Sequence, residues 1–266
     1  MNILVCVKQV PDTTEIRVDP VTNTLIRAGV PSIVNPFDAY ALETAARIKD
    51  ELPETKITVV SMGPPQAEAA LKECLAGGAD QAYLVSGRPF GGSDTLATSY
   101  ILSCAVRKLE ELEGKFDVIF CGKQAIDGDT AQVGPELAEH LGLPQITCAL
   151  EVSCHGEELH VKRKTEKGSE LLGIQMPCLI TVTKTAYEPR YVSSRKRREA
   201  AKKTISVLSD ADLDIDLSRA GLKGSPTKVK KTYAMSQNAN GIILKNGDAS
   251  ENARKLFGML TENGVL

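Results

Sequence analysis

Four short apolar runs, each followed by an amphipathic stretch, constrain this fold more than any other feature of the chain. They lie at residues 3–7, 57–61, 82–86 and 118–121. Between them, apolar residues recur at helical spacing: Leu42, Ala45, Ala46 and Ile48, then Ala67, Ala70, Leu71, Cys74 and Leu75. A third set is Leu102, Ala105, Val106, Leu109 and Leu112. Nearly continuous apolar strands alternating with one-faced helices predict a parallel sheet covered on both sides. The expected fold class is therefore α/β, a doubly wound parallel sheet.

Local signals punctuate this pattern. Residues 15–28 read as a hairpin turning at 19–23. Asn35-Pro36 reads as an N-cap followed by proline at the first helical position. Gly77-Gly78 ends the second helix. Beyond Leu143 the texture changes to strand-like runs separated by short polar turns, which predicts β-hairpins added to the sheet. A basic stretch spans 195–203, a lysine cluster spans 228–231, and 253–260 reads as a terminal helix. Residues 205–250 carry too little apolar periodicity for a core of their own. The expected division is an α/β nucleotide-binding domain at 1–200 and an extended C-terminal arm at 201–266, packed on a partner subunit.

Composition removes several function classes. Seven cysteines, widely spaced and without a CxxC pair, argue against a disulfide framework and against a metal site. Tryptophan is absent and aromatics make up 4% of residues, which disfavours a nucleic-acid groove built on stacking. No apolar stretch is long enough to span a membrane, and the N-terminus lacks the features of a signal peptide, so a cytoplasmic protein without membrane insertion is expected. The net charge of −2 hides an asymmetry: residues 1–150 hold 12 basic against 20 acidic residues, and the remainder 20 against 14. Two regions with different partners would produce such a split, as would the solvated faces of a single fold.

Open parallel sheets bind ligands beyond the carboxyl ends of their strands. Three loops there have unusual composition: 61–64, 91–95 and 123–135. Their glycines permit close backbone approach, and amides at helix starts hold phosphate. Thr95, Thr98 and Thr130 add hydroxyls, while Asp127 and Asp129 can accept from ribose or cap local amides. Together these suggest a nucleotide without identifying which one. There is no GxGxxG after the first strand, no GxxxxGK[ST] and no GxSxG. His140, His155 and His160 lie outside the three loops, so no catalytic residue is assigned and no stand-alone catalysis is expected. A binding protein whose cofactor supplies the chemistry fits better.

The loop GKQAIDGDTAQVGP resembles the nucleotide-binding loop of the electron-transferring flavoprotein β (small) subunit. VCVKQVPDTTEIRVDP, NPFDAYALE and the MGPP turn are similar to that family's first strand and hairpin, first helix and second turn. VKRKTEKGSELLGIQMPCLITVT resembles its signature hairpin, and AYEPRY leads into its recognition loop. The resemblance implies a heterodimer with an FAD-carrying α subunit, over which the C-terminal arm reaches. It also implies that β holds either a structural AMP or, in electron-bifurcating members of anaerobic metabolism, a second FAD. That FAD takes a hydride from NADH and divides its electrons between a low-potential acceptor, ferredoxin or flavodoxin, and a route through the α-subunit FAD to a flavin dehydrogenase.

The stretches 127–135 and FGGSDTLATS look like the bifurcating form, so FAD is expected and AMP is the alternative. Carried over residue by residue, the resemblance places Cys6, Asn35, Met62, Gly63 and Gly122 at the cofactor. The loop Gln124, Ala125, Ile126, Asp127, Gly128, Asp129, Thr130, Ala131, Gln132, Val133, Gly134 and Pro135 would hold the adenosine end. Asp94, Thr95 and Thr98 would lie toward the flavin ring.

One departure concerns the recognition loop. Where the family presents an apolar anchor after EPRY, this chain has Ser194 inside VSSRKRREAAKK. That puts the usual acyl-CoA dehydrogenase partner in doubt and suggests electrostatic docking to another flavin dehydrogenase. Two rival classes fit less well. An ATP pyrophosphatase would carry its SGGxDS-like loop after the first strand, whereas GGSDT follows the third. A nucleic-acid binder would need a reader motif as well as its basic clusters.

Overall fold

The computed structural model describes residues 1–12, 31–227, 230, 241–245 and 247–266. The chain forms two units: Met1–Glu15 with Arg27–Lys230, and Ile16–Ile26 with Lys231–Leu266. In the first unit the order is β1 (Asn2–Cys6), β2 (Gln9–Pro11), β3 (Ser32–Val34), α1 (Pro36–Glu51), β4 (Lys56–Met62) and α2 (Glu68–Gly77). Next come β5 (Gln81–Val85), α3 (Thr95–Glu113), β6 (Val118–Gly122) and α4 (Val133–Leu141). Then follow β7 (Gln145–His155), β8 (Glu158–Thr165), β9 (Gly168–Gln175), β10 (Cys178–Val182), α5 (Ser194–Ala201), β11 (Ser206–Leu208) and α6 (Gly221–Gly224).

Nine strands form one sheet in the order β11-β5-β4-β1-β6-β10-β7-β8-β9. The first seven run parallel, and β8 and β9 extend the sheet as antiparallel hairpins. The chain steps from β1 outward through β4 to β5, then returns to place β6 on the other side of β1. That reversal opens a crevice at the carboxyl ends of β1, β4 and β6.

Side chains alternate across the strands and build two cores. From β1, Ile3 and Val5 join α1 and α2 on one face, while Leu4 and Cys6 join α3 and α4 on the other. The predicted inward residues of α1 and α2 are buried, as are Leu102, Ala105, Val106 and Leu109 of α3. Leu112 departs from that reading: it lies in the last turn of α3 and is 53% exposed. The run at 178–182 also departs. Instead of remaining with the hairpins, it inserts as β10 between β6 and β7.

Residues 206–220 contribute β11 to the sheet edge and Leu208, Leu213 and Ala220 to the second core. In the second unit, α7 (Ala249–Glu262) is capped by Asp248, whose carboxylate accepts the Glu251 amide at 2.8 Å. Leu256 and Phe257 of α7 are exposed. The hairpin expected at 15–28 and most of the lysine cluster at 228–231 lie outside the described residues. Among the described residues no helix is long and apolar enough to cross a membrane, and no acidic, histidine or cysteine group is placed to hold a metal.

Candidate nucleotide-binding site

The crevice is assembled by α1. Asn35 occupies the N-cap position and Pro36 the first helical position, but the Asn35 side chain makes no capping bond. It is fully buried and turns instead to the loop after β6. Its Nδ2 donates to the Gln124 carbonyl at 2.8 Å, and its Oδ1 accepts the Ile126 amide at 3.1 Å. One turn into α1, the Asp38 carboxylate accepts the Lys8 amide at 2.7 Å and the Gly122 amide at 3.1 Å. Burial pushes the Asp38 carboxyl up to about 7, against the opposing pull of the Asn35 side chain and these two amides.

Gly122 is required by this approach. A Cβ there would lie 2.1 Å from Asp38 Oδ1 and 2.7 Å from the Asp38 backbone nitrogen. Gly128, by contrast, faces open space. The Gly128 and Asp129 amides both reach back to the Ala125 carbonyl, closing a turn. Asp129 and Ala131 then adopt left-handed backbone, at φ 52° and 55°. Such conformations cost free energy in non-glycine residues and concentrate at functional sites.

The loop ends at the start of α4, where Gln132 gives no side-chain cap. First-turn amides of a helix left without a side-chain acceptor suit a phosphate. Asp127 and Asp129 are engaged within the protein, by Lys8 Nζ and Gln124 Nε2, each at 2.7 Å. On the other wall, Thr95 Oγ1 lies 3.2 Å from both Gln132 Oε1 and Glu136 Oε1, and Ser99 Oγ donates to Glu136 Oε2 at 3.3 Å.

The structure therefore brings together Asn35, Gly122, the 124–135 loop and Thr95. Thr98 follows on the first turn of α3, half-buried. Cys6 and Met62 end their strands at the crevice, but their side chains pack in or against the second core. The Gly63 amide donates to the Val85 carbonyl at 3.0 Å, which continues the β4–β5 ladder one residue past the strand. The Asp94 carboxylate is committed elsewhere, to the Ala97 amide at 3.1 Å and the Thr227 amide at 3.0 Å. Pro135 lies in the first turn of α4, and its carbonyl accepts from Gln145. The sequence reading passed over Lys8, Asp38 and Glu136. The available signal was Asp38, an acid three residues after Asn35 in NPFD.

Residues 22–213 match the electron transfer flavoprotein domain. The chain is similar to the electron transfer flavoprotein subunit beta of Megasphaera elsdenii, 51% identical over 255 residues, covering 95% of this chain and 94% of that one. The subunit of the same name from Clostridium acetobutylicum is 50% identical over 92% of each chain. This chain is also 43% identical, over the full length of both, to the caffeyl-CoA reductase-Etf complex subunit CarD of Acetobacterium woodii.

Proposed function

The chain belongs to the electron transfer flavoprotein family as a β subunit, and from that premise we propose that its crevice holds FAD. The observation that carries this reading is the 124–132 loop. Asn35 pins it, its two left-handed residues strain it, and it delivers an uncapped α4 start beside Thr95. Cys6, Asn35, Met62, Gly63 and the loop through Pro135 would surround the adenosine end, and the start of α4 would face phosphate. Asp94, Thr95 and Thr98 would stand toward the ring.

FAD bound there would supply the redox chemistry, namely hydride acceptance from NADH and one-electron transfer toward ferredoxin or flavodoxin and, by way of the α-subunit FAD, toward a partner flavin dehydrogenase. This chain's own part is to bind and orient. Asn35 fixes the loop, and Thr95 spends its proton on Gln132 or Glu136 and so offers a lone pair to the crevice. The C-terminal arm packs on the α subunit, with Leu256 and Phe257 of α7 as its apolar contacts, and the pair works in the cytoplasm. The kinship with a subunit of a reductase-Etf complex supports a dehydrogenase-type partner.

The uncapped start of α4 suits the single phosphate of AMP as well, which keeps a structural AMP as the second reading. Co-expression with the α subunit and chromatography of released nucleotides separates the two. Two FAD per heterodimer without AMP is expected. One FAD with one AMP would assign all redox chemistry to α.

A further inference from the structure

Residues 220–227 fold back onto the loop that starts α3. The Gly221 amide donates to Ser93 Oγ at 3.1 Å, and Ser93 in turn donates to the Phe90 carbonyl at 2.8 Å. Ser225 is 5% exposed. Its Oγ accepts the Asp94 amide at 2.9 Å and donates to the Gly221 carbonyl at 2.7 Å. The Thr227 amide then closes on Asp94 Oδ2 at 3.0 Å.

Sterics make this fit specific. Gly221 has φ +59°, and a Cβ there would lie 2.1 Å from the Pro89 carbonyl oxygen. Gly92 has φ +75°, and the Leu222 side chain covers it so closely that a Cβ would meet it at 2.7 Å. One left-handed glycine thus lets two backbone segments touch, and the other seats the Leu222 side chain.

Asp94 is the shared node. One carboxylate oxygen caps α3 through the Ala97 amide, and the other holds Thr227. Burial raises this carboxyl, but the Ala97 and Thr227 amides more than offset it, and it ends below its ordinary pKa. Thr95, the next residue, faces Gln132 and Glu136 across the crevice. The wall of the crevice and the segment that ends at Thr227 are therefore one hydrogen-bonded piece.

We propose that residues 221–227 are a clasp, positioned by Ser225, whose closure and the occupancy of the crevice by an adenine nucleotide are linked. The linkage rests on the crevice being a nucleotide site, as argued above. Closure fixes Asp94 and with it Thr95. A ligand that touches the start of α3 binds the closed form more tightly, and by reciprocity it holds the clasp shut by the same factor.

The test is amide hydrogen exchange on the complex with the α subunit, emptied of this chain's nucleotide and then reloaded with FAD or, separately, with AMP. Exchange at Asp94, Gly221 and Thr227 is expected to slow by about fivefold or more on reloading, the lower end of ordinary coupling. Ser225→Ala is expected to abolish that slowing and to weaken nucleotide binding by a similar factor, with exchange at Val5 in the sheet core unchanged. Measured uptake with equal exchange in the loaded and emptied wild-type complex would overturn the clasp alone, and this comparison decides even if the variant does not fold. No uptake of either nucleotide would overturn the crevice reading and the clasp together.

Discussion

Asn35 Oδ1 accepts the backbone amide of Ile126 at 3.1 Å, across 91 residues of sequence. With its Nδ2 on the Gln124 carbonyl, this one side chain replaces the turn that would otherwise have to hold the loop. It has no room to serve as a helix cap as well, so α1 starts on Pro36 and the acid at Asp38.

Asn35→Ala therefore removes the partner of two part-buried backbone groups without removing a cap. Each lost hydrogen bond should cost about 0.5–1.5 kcal/mol. Chemical denaturation of the heterodimer should show the loss, and the nucleotide retained after gel filtration should fall with it. Full retention at wild-type stability would show that the loop holds its shape without Asn35.

Asp38 gives the fold a pH dependence of defined sign. Its carboxyl titrates at about 7 when folded, against 3.8 for an ordinary aspartate. Between those values the folded chain binds a proton that the unfolded chain has released. The Asp38 contribution is therefore greatest at acid pH, falls as pH rises from about 4 to about 7, and levels off beyond. Asp38→Asn cannot titrate, although its amide must oppose one of the two backbone donors. Denaturation at pH 5 and pH 8 should show wild-type stability falling relative to the variant by on the order of 3 kcal/mol. Parallel pH profiles would refute this.

Two nearby glycines, Gly122 at the end of β6 and Gly128 in the loop after it, should behave oppositely. Gly122→Ala drives a methyl into Asp38, whose backbone nitrogen cannot swing away. Overpacking of that kind costs about 1–3 kcal/mol, equivalent to a Tm loss of roughly 2–4 °C per kcal/mol for a chain of this size. Gly128→Ala meets nothing within 4 Å and should leave Tm unchanged. If nucleotide backs onto Gly128, its affinity falls in the second variant although stability does not, which separates ligand contact from fold.

Which of these relationships could be read from the sequence follows from their range. The strands, α1 to α3 and the 124–135 loop were legible because periodicity and Gly, Asn and Pro punctuation are local signals. Asn35-Pro36 announced a helix start correctly, yet nothing local distinguishes an asparagine that caps from one that reaches Gln124. Asp38 looked like an ordinary first-turn acid, since its partners Lys8 and Gly122 lie 30 and 84 residues away. The run at 178–182 was visible as a strand, but local pattern cannot tell a hairpin strand from one that crosses to the centre of the sheet. β11 has three residues, too few for alternation to register.

The basic segment after β10 yields the last prediction. Arg190 is tied to α1, with its Nε 2.8 Å from Glu43 and an Nη 2.8 Å from Asp50. Its neighbour Tyr191 is 88% exposed, and α5 follows, capped by Ser193. An anchored segment thus presents Arg195, Arg197 and Arg198, with Arg195 paired to Glu199 at 2.9 Å. Ser194 supplies no apolar knob, so long-range attraction should set the encounter with an acidic dehydrogenase surface. Replacing all three arginines by glutamate should slow electron transfer to that partner by about tenfold or more at low salt. The difference should shrink toward ~1 M salt, where charges are screened over about 3 Å. Because the three side chains are exposed, Tm should barely move, which separates docking from folding. An unchanged transfer rate at low salt would exclude electrostatic docking through α5.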